Sequence, residues 1–340
     1  MKVRECGVSR DYRTVWMDSG NVYLIDQGKL PCEFSIYRSG SCAETVSAIR
    51  DMIVRGAPAI GASAAFAVAQ AAAEFRGKDM RKFGLHMKDA CDLIRKARPT
   101  AYDLFHAVDF LSGRIPSSDS VAEAKEIAVE GSMTYADMSA EACRKIGEFG
   151  EKLIRDGFSV LTHCNAGALA CVDYGTALSP IRFAHYDKKK IHVFVDETRP
   201  RLQGAKLTSW ELIQEGIGHS IIVDNAAGYF MQKGEVDMCI VGADRITTKG
   251  DVINKIGTYE KAVLAKENGI PFYVAAPRST FDSATRNGAE VAIEERSEDE
   301  VLCVGGVRVA PIDAHARNPG FDVTPKRYVS GFITERGVEK

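Results

Sequence analysis

The stretch Phe158-Ser159-Val160-Leu161-Thr162-His163-Cys164-Asn165-Ala166-Gly167 decides the fold of this chain. Its first five residues form a short, near-continuously apolar run, the pattern of a strand covered on both faces of a parallel sheet. Four runs of the same kind follow: Ile191-His192-Val193-Phe194-Val195, Ser220-Ile221-Ile222-Val223, Met238-Cys239-Ile240-Val241 and Phe272-Tyr273-Val274-Ala275. Segments near 165–178, 207–216, 225–233 and 255–268 lie between them and have helix length and composition. Within these, Thr208-Ser209-Trp210-Glu211 matches a capping box. Strands alternating with helices predict an α/β fold with a doubly wound, Rossmann-like parallel sheet. No Gly-x-Gly-x-x-Gly follows the first strand, so dinucleotide binding has no support in the sequence.

Upstream the rhythm is different. Thr14-Val15-Trp16-Met17 and Val22-Tyr23-Leu24-Ile25-Asp26 flank the turn signal Asp18-Ser19-Gly20-Asn21, which predicts a β-hairpin. Helical periodicity runs from about Cys42 to Leu111, through the alanine-rich run Ala57 to Ala73 and helices near 79–96 and 101–112. Residues 113–119, Gly113-Arg114-Ile115-Pro116-Ser117-Ser118-Asp119, read as a linker, and a long helix over about 121–155 follows. The expected organisation is a smaller N-terminal domain of hairpin and helices over residues 1–120, then the Rossmann-like domain over 121–340.

The chain has 340 residues, 45% hydrophobic and 26% charged, with 44 Lys+Arg against 46 Asp+Glu. That length suits about two domains, each with its own core. A formal net charge of −2 argues against holding nucleic acid or an anionic membrane by bulk electrostatics. The N-terminus Met1-Lys2-Val3-Arg4-Glu5 is charged and no apolar run follows it, so a secretory signal is not expected. The run Ala57 to Ala73 contains Pro58 and Gly61 and reads as a buried small-residue helix, short of a membrane span. Nine cysteines, at 6, 32, 42, 91, 143, 164, 171, 239 and 303, are scattered without a Cys-x-x-Cys pair. Reduced thiols in a cytoplasmic chain, with no zinc, are the expectation.

In such a sheet ligands bind beyond the carboxyl ends of the strands. There stand His163-Cys164-Asn165-Ala166-Gly167, Asp196-Glu197-Thr198-Arg199-Pro200, Asp224-Asn225-Ala226 and Gly242-Ala243-Asp244-Arg245. Cys164 precedes an expected helix start, whose free N–H groups and dipole favour a thiolate. A small buried hydrophobe is the plainer alternative, and Cys171 reads that way. His163 points away from Cys164 if the strand continues. Asp244 holds the same topological place on another strand, where partial burial suits a proton donor or acceptor near neutrality. Its plainer readings are a helix cap or a partner for Arg245. Asp196 and Asp224 read as structural carboxylates. Arg55-Gly56-Ala57-Pro58-Ala59-Ile60-Gly61 sets a guanidinium beside a glycine turn and a proline-started helix, a cradle for phosphate or carboxylate, with close helix packing as the alternative. Arg98-Pro99-Thr100 and Asn254-Lys255 are further anion-binding candidates, and Lys188-Lys189-Lys190 reads as a solvated turn.

These blocks, together with Thr162 to Ala170, Asp196 to Gly204, Gly242-Ala243-Asp244-Arg245-Ile246, Asn254 to Tyr259, Ile25-Asp26-Gln27, Leu30-Pro31 and Asn318 to Pro325, resemble the methylthioribose-1-phosphate isomerase family in order and spacing. The resemblance covers essentially the whole chain. It implies interconversion of an aldose 1-phosphate and a ketose 1-phosphate in methionine salvage. It also implies catalysis by Cys164 and Asp244, and substrate binding by Arg55, Gly56, Ala57, Arg98, Gln203, Asn254 and Lys255. A metal-free, cofactor-free cytoplasmic homodimer acting on a small sugar phosphate, with neither nucleic acid nor membrane as partner, is implied as well. Phosphate on the anomeric oxygen prevents opening to a free aldehyde, so the bond between C1 and the ring oxygen must break and hydrogen must pass from C2 to C1. An enol-phosphate route and a direct hydride shift both satisfy this. The same superfamily holds ribose-1,5-bisphosphate isomerase and the regulatory subunits of eukaryotic translation initiation factor 2B. A 5-deoxyribose 1-phosphate activity is a third rival, since small apolar ends are weakly discriminated.

Overall fold

The computed structural model describes every residue except Cys6 and Thr100, and every side chain except those two and Pro116. The predicted hairpin forms: β1 (Val15–Asp18) pairs antiparallel with β2 (Asn21–Ile25), Val15 facing Leu24 and Asp18 facing Asn21. Ser19 and Gly20 make the turn at φ +48 and +79, the sign that matches a two-residue turn to strand twist. β3 (Ile36–Ser39) adds to β2.

Four helices follow: α1 (Cys42–Arg50), α2 (Ala57–Glu74), α3 (Met80–Ala97) and α4 (Tyr102–Ser112). Ser41 and Asp79 cap α1 and α3 through their side chains, at the expected starts. Every residue of α2 from Ala57 to Ala72 is buried, because small side chains let neighbouring helices close in on all sides. A Cβ added at Gly61 would lie 3.0 Å from the Asp103 carbonyl oxygen of α4. The stretch read as a linker, 113–119, passes through a 3₁₀ turn at Ile115–Ser117 into α5 (Val121–Gly150).

The chain folds as two compact units, Met1–Arg144 with Gly167–Gly175, and Lys145–Ala166 with Thr176–Lys340. In the first, the segment 167–175 is tied down by polar bonds. Thr14 Oγ1 donates to Ala168 O at 2.6 Å, Gln27 Nε2 to Leu169 O at 2.7 Å and Thr14 N to Val172 O at 2.9 Å. The terminal ammonium of Met1 meets Asp173 at 2.7 Å. These bonds accompany a departure from expectation. A helix was expected over 165–178, yet only a 3₁₀ turn forms at Ala168–Ala170, with the Leu169 and Val172 carbonyls given to Gln27 and Thr14 instead of to residues further along the segment.

The second unit holds the parallel sheet. Its strands are β4 (Ser159–Thr162), β5 (His192–Asp196), β6 (His219–Ile222) and β7 (Met238–Val241). After β8 (Arg245–Ile246) and β9 (Val252–Lys255) come β10 (Phe272–Ala275), β11 (Phe321–Thr324), β12 (Gly331–Thr334) and β13 (Gly337–Glu339). Among the described residues the sheet order is β13-β12-β10-β7-β4-β5-β6, with only β13 antiparallel, while β8-β9-β11 form a separate small sheet. Alternate side chains feed two cores: Leu161, Phe194, Cys239 and Val241 on one face, Val160, Val193, Val195, Met238 and Ile240 on the other. Burial on both faces is why these runs read as unbroken apolar stretches. Helices α6 (Leu178–Tyr186), α7 (Ser209–Glu215), α8 (Ala227–Gln232) and α9 (Thr258–Glu267) connect the strands. No helix of the described residues is long and apolar enough to cross a membrane, and none of the eight described cysteines forms a disulfide.

Gly56, at φ +96, has no room for a side chain: a Cβ there would lie 2.4 Å from Ala170 Cα. Gly56→Ala is therefore expected to lower stability by at least about 2 kcal/mol, read as a reduced denaturant midpoint at unchanged slope.

Candidate active site

Chain order runs from β4 outward through β5 and β6, then restarts with β7 on the other side of β4. The strand order therefore reverses between β4 and β7, the place where a doubly wound sheet opens a crevice at its carboxyl edge. Cys164 follows β4 and Asp244 follows β7. Their loops touch, since a Cβ at Gly242 would lie 2.8 Å from the Ala166 Cβ. Both residues are half-buried.

Cys164 does not precede a helix, so the dipole argument for its thiol does not apply. Instead it stands in the left-handed region at φ +65. Its N–H donates to Thr198 Oγ1 at 2.8 Å, and its carbonyl accepts from Thr208 Oγ1 at 2.7 Å. Thr208 is thus no helix cap: it lies at helical φ −63 at the end of a π-helical turn, Gly204–Thr208, with its hydroxyl turned to the Cys164 loop. Asn165 Nδ2 donates to Thr208 Oγ1 at 3.1 Å and to Glu211 Oε1 at 2.9 Å.

Asp244 is fixed through its N–H to Ile253 O at 2.9 Å, and Arg245 pairs with Asp282 at 3.3 Å. Lys255, on β9, is 5% exposed and donates to Gly320 O at 2.7 Å. Burial and the neighbouring Arg296 push its ammonium below the usual lysine range, while charges on Cys164 and Asp244 push it back. Cys164, Asp244 and Lys255 therefore share one electrostatic neighbourhood. Asn254 is buried beside Lys255, its Nδ2 donating to Thr258 Oγ1 at 2.9 Å. Gln203 leads into the π turn, and its buried Oε1 has no hydrogen-bond partner among the described residues.

The remaining candidates belong to the first unit. Arg55, Gly56 and Ala57 stand at the start of α2, which has no side-chain cap, so its first N–H groups retain their capacity for an anion. Arg98 is the half-buried C-cap of α3. Thr100, read with it as part of an anion site, lies outside the described residues.

Behind Cys164 lies a buried polar cluster. The strand ends at Thr162, so its alternation does not extend to Cys164; His163 has Nδ1 2.8 Å from Asp196 Oδ2 and Nε2 2.8 Å from Ile256 O. Lys261 Nζ lies 3.6 Å from the same Asp196 oxygen and also pairs with Glu260. Burial pushes the Asp196 carboxyl up against the pull of His163 and Lys261. Burial would push the Lys261 ammonium down, but Asp196 and Glu260 outweigh it and hold it up. Asp224 caps the loop after β5, accepting N–H bonds from Thr198 at 2.7 Å and Arg199 at 2.6 Å. Ligand atoms of His163, Asp196 and Asp224 lie within 4.8 Å of one another. Apart from Asp196 Oδ1 they are already committed to these bonds, so the group makes no case for a cation site.

The sequence alone gives no site role to Thr198, Asn165, Thr208 or Glu211. Thr198 and Asn165 stand inside blocks singled out for other residues, and Thr208 and Glu211 read as local capping partners.

The chain belongs to the initiation factor 2 subunit family, whose model matches residues 53–340. It is 49% identical over 322 residues to the methylthioribose-1-phosphate isomerase of Acetivibrio thermocellus, covering 94% of each chain. The crystal structure of 5-methylthioribose 1-phosphate isomerase from Pyrococcus horikoshii superposes with a TM-score of 0.90 at 44% identity, over 97% of this chain and 92% of that one. A structure from A. fulgidus titled translation initiation factor eIF-2B, subunit delta, superposes with a TM-score of 0.86 at 44% identity, over 96% of each.

A cavity of about 430 Å³ beside the buried cluster is lined by His163, Asp224, Lys261 and Asp322, among others. Asp322 accepts N–H bonds from Gly257 at 2.7 Å and Tyr259 at 3.1 Å and so ties β11 to the start of α9. Burial pushes its carboxyl up to about 6 from an ordinary value of 3.8. The folded chain thus holds a proton there that the unfolded chain has released. The stability this contributes is complete below the unfolded value and is lost as pH rises through about 6. Wild type is expected to lose about 2–3 kcal/mol, relative to Asp322→Asn, between pH 3.5 and pH 7. Parallel denaturant titrations of the two proteins across that range check it.

Proposed function

We propose that this chain is a sugar-phosphate aldose–ketose isomerase, converting 5-methylthioribose 1-phosphate to 5-methylthioribulose 1-phosphate in methionine salvage. Its relatives carry that activity in their names. The observation that carries the reading within the molecule is the placement of Cys164 and Asp244 on either side of the strand-order reversal, both acting on the Lys255 ammonium.

The chemistry calls for these groups. As the bond between C1 and the ring oxygen breaks, that oxygen needs a proton, which Asp244 as an acid supplies. In the enol-phosphate route the Cys164 thiolate takes the C2 proton and the C1–C2 double bond forms as the ring opens. The 2-hydroxyl then loses its proton, C1 gains one, and the 2-ketone results. In the hydride route the C2 hydrogen moves to C1 with its electron pair, and the two side chains manage only protons on oxygen. Either way, Lys255 supplies a fixed cation where negative charge develops. Arg55, Gly56, Ala57, Arg98, Gln203, Asn254 and Lys255 hold the substrate in this reading. The fixed phosphate lets binding energy be used at the reacting carbons. The family likeness further supports a cytoplasmic homodimer.

The decisive experiment is phosphorus and proton NMR of the protein in deuterated water with 5-methylthioribose 1-phosphate, 5-deoxyribose 1-phosphate and ribose 1,5-bisphosphate in turn. Preferred conversion of the first is expected. Conversion of none by folded protein would overturn the reading in favour of a non-catalytic subunit. Solvent deuterium at C1 of the product marks the enol route.

Cys164→Ser and Asp244→Asn are each expected to cut turnover below about a tenth of wild type while substrate still binds; a higher residual rate removes that residue from its role. Arg55→Ala is expected to raise KM about tenfold or more with a smaller change in kcat, measured by initial rates.

A further inference from the structure

We propose that Thr198 and Thr208 are positioning residues for Cys164, their two hydroxyls fixing the backbone on both sides of its Cα and thereby the direction of the thiol. The inference rests on Cys164 being the reactive thiol of the isomerase proposed above.

Cysteine has no intrinsic reason to occupy φ +65. The left-handed region crowds Cβ against the carbonyl of any L-residue, and glycine or asparagine is the usual occupant. Two bonds offset that strain. The Cys164 N–H donates to Thr198 Oγ1 at 2.8 Å, so the Thr198 proton must go elsewhere, and it goes to Asp196 O at 3.1 Å. On the other side, Thr208 Oγ1 gives its proton to Cys164 O at 2.7 Å and accepts from Asn165 Nδ2 at 3.1 Å. The first bond restrains φ and the second ψ. With both set, the Cα–Cβ bond has one direction.

The threonines are themselves held. Thr198 is β-branched and stands at φ +64, an unfavourable place for such a residue, where Asp224 takes its N–H at 2.7 Å. Thr208 ends the π-helical turn, a rare form common at functional sites. That turn packs directly on the end of β5: a Cβ at Gly204 would lie 1.7 Å from Asp196 O. Both threonines are fully buried. The block Asp196 to Gly204 thus has a purpose beyond Gln203, since it carries one hydroxyl itself and launches the turn that carries the other. A backbone released to negative φ would swing the sulfur away from the substrate carbon, and a displacement of about 1 Å costs roughly a hundredfold in rate.

The test compares Thr198→Val and Thr208→Val with Thr198→Ser and Thr208→Ser in the full chain, and Thr198→Ala replaces the valine variant if that one does not fold. Two readouts are taken on folded protein: kcat and KM with 5-methylthioribose 1-phosphate, and the rate of iodoacetamide alkylation at Cys164 followed by peptide mass spectrometry, with exposed Cys32 as reference. The valine variants are expected to lose about tenfold to a hundredfold in kcat, with KM within about threefold. Alkylation of Cys164 is expected to shift by about threefold or more while that of Cys32 does not, and the serine variants, which keep the hydroxyl, are expected to restore both values. Valine variants with wild-type kcat, or with lowered kcat and unchanged Cys164 alkylation, overturn the proposal, as do serine variants no better than valine. If wild type turns over no sugar phosphate, the isomerase reading fails separately, and alkylation alone then decides whether the hydroxyls set the thiol.

Discussion

A parallel sheet built outward from its middle must reverse its strand order once, and everything chemical in the second unit follows from where that happens. Connections after β4 run to one side and those after β7 to the other. The carboxyl ends of these two neighbours are thus left without a helix crossing over them. Cys164 and Asp244 occupy the two ends. β9 brings Lys255 to the same place through the small antiparallel sheet, whose backbone also fixes Asp244. Three residues far apart in sequence meet because one topological rule leaves them nowhere else to go.

The ground beneath that edge is polar and buried. Asp196, at the end of β5, takes bonds from His163 and faces Lys261, and its backbone carbonyl accepts the proton of Thr198. A lone carboxylate at zero exposure would be very costly, and so would a lone buried lysine. Together they satisfy most of each other's requirements and turn the strand end into a rigid anchor. Removing one partner would leave the others uncompensated, so such a cluster resists drift more than an apolar patch of the same volume.

Much of this was legible in the residues. The hairpin, the alanine helix and the five apolar runs follow from periodicity and turn chemistry, which act over a few residues. Placing Cys164 and Asp244 at strand ends needed only the strands and the rule for doubly wound sheets. What escaped was the work of residues whose partners lie far along the chain. Thr208 and Glu211 have the spacing of a capping box, but Thr208 stands at helical φ and its hydroxyl oxygen accepts from Asn165 Nδ2 while its proton goes to the Cys164 carbonyl. The segment after Cys164 has helical composition, yet Thr14 and Gln27 take its carbonyls from more than a hundred residues away. Lys255 reads from sequence as an anion-binding candidate, but its burial, on a strand paired with β11, depends on residues some 65 positions further along.

The segment 167–175 belongs to the first unit although its neighbours on both sides belong to the second. The first unit is therefore discontinuous along the chain, and during synthesis it stays unfinished until residue 175 has left the ribosome. Thr14, Gln27 and the Met1 ammonium wait for partners made some 150 residues later. Domains that are continuous in sequence can complete themselves in order of synthesis. Here the early half is obliged to wait for the first strand of the late half, so a ribosome pausing between residues 145 and 175 would expose an incomplete core to proteases and chaperones.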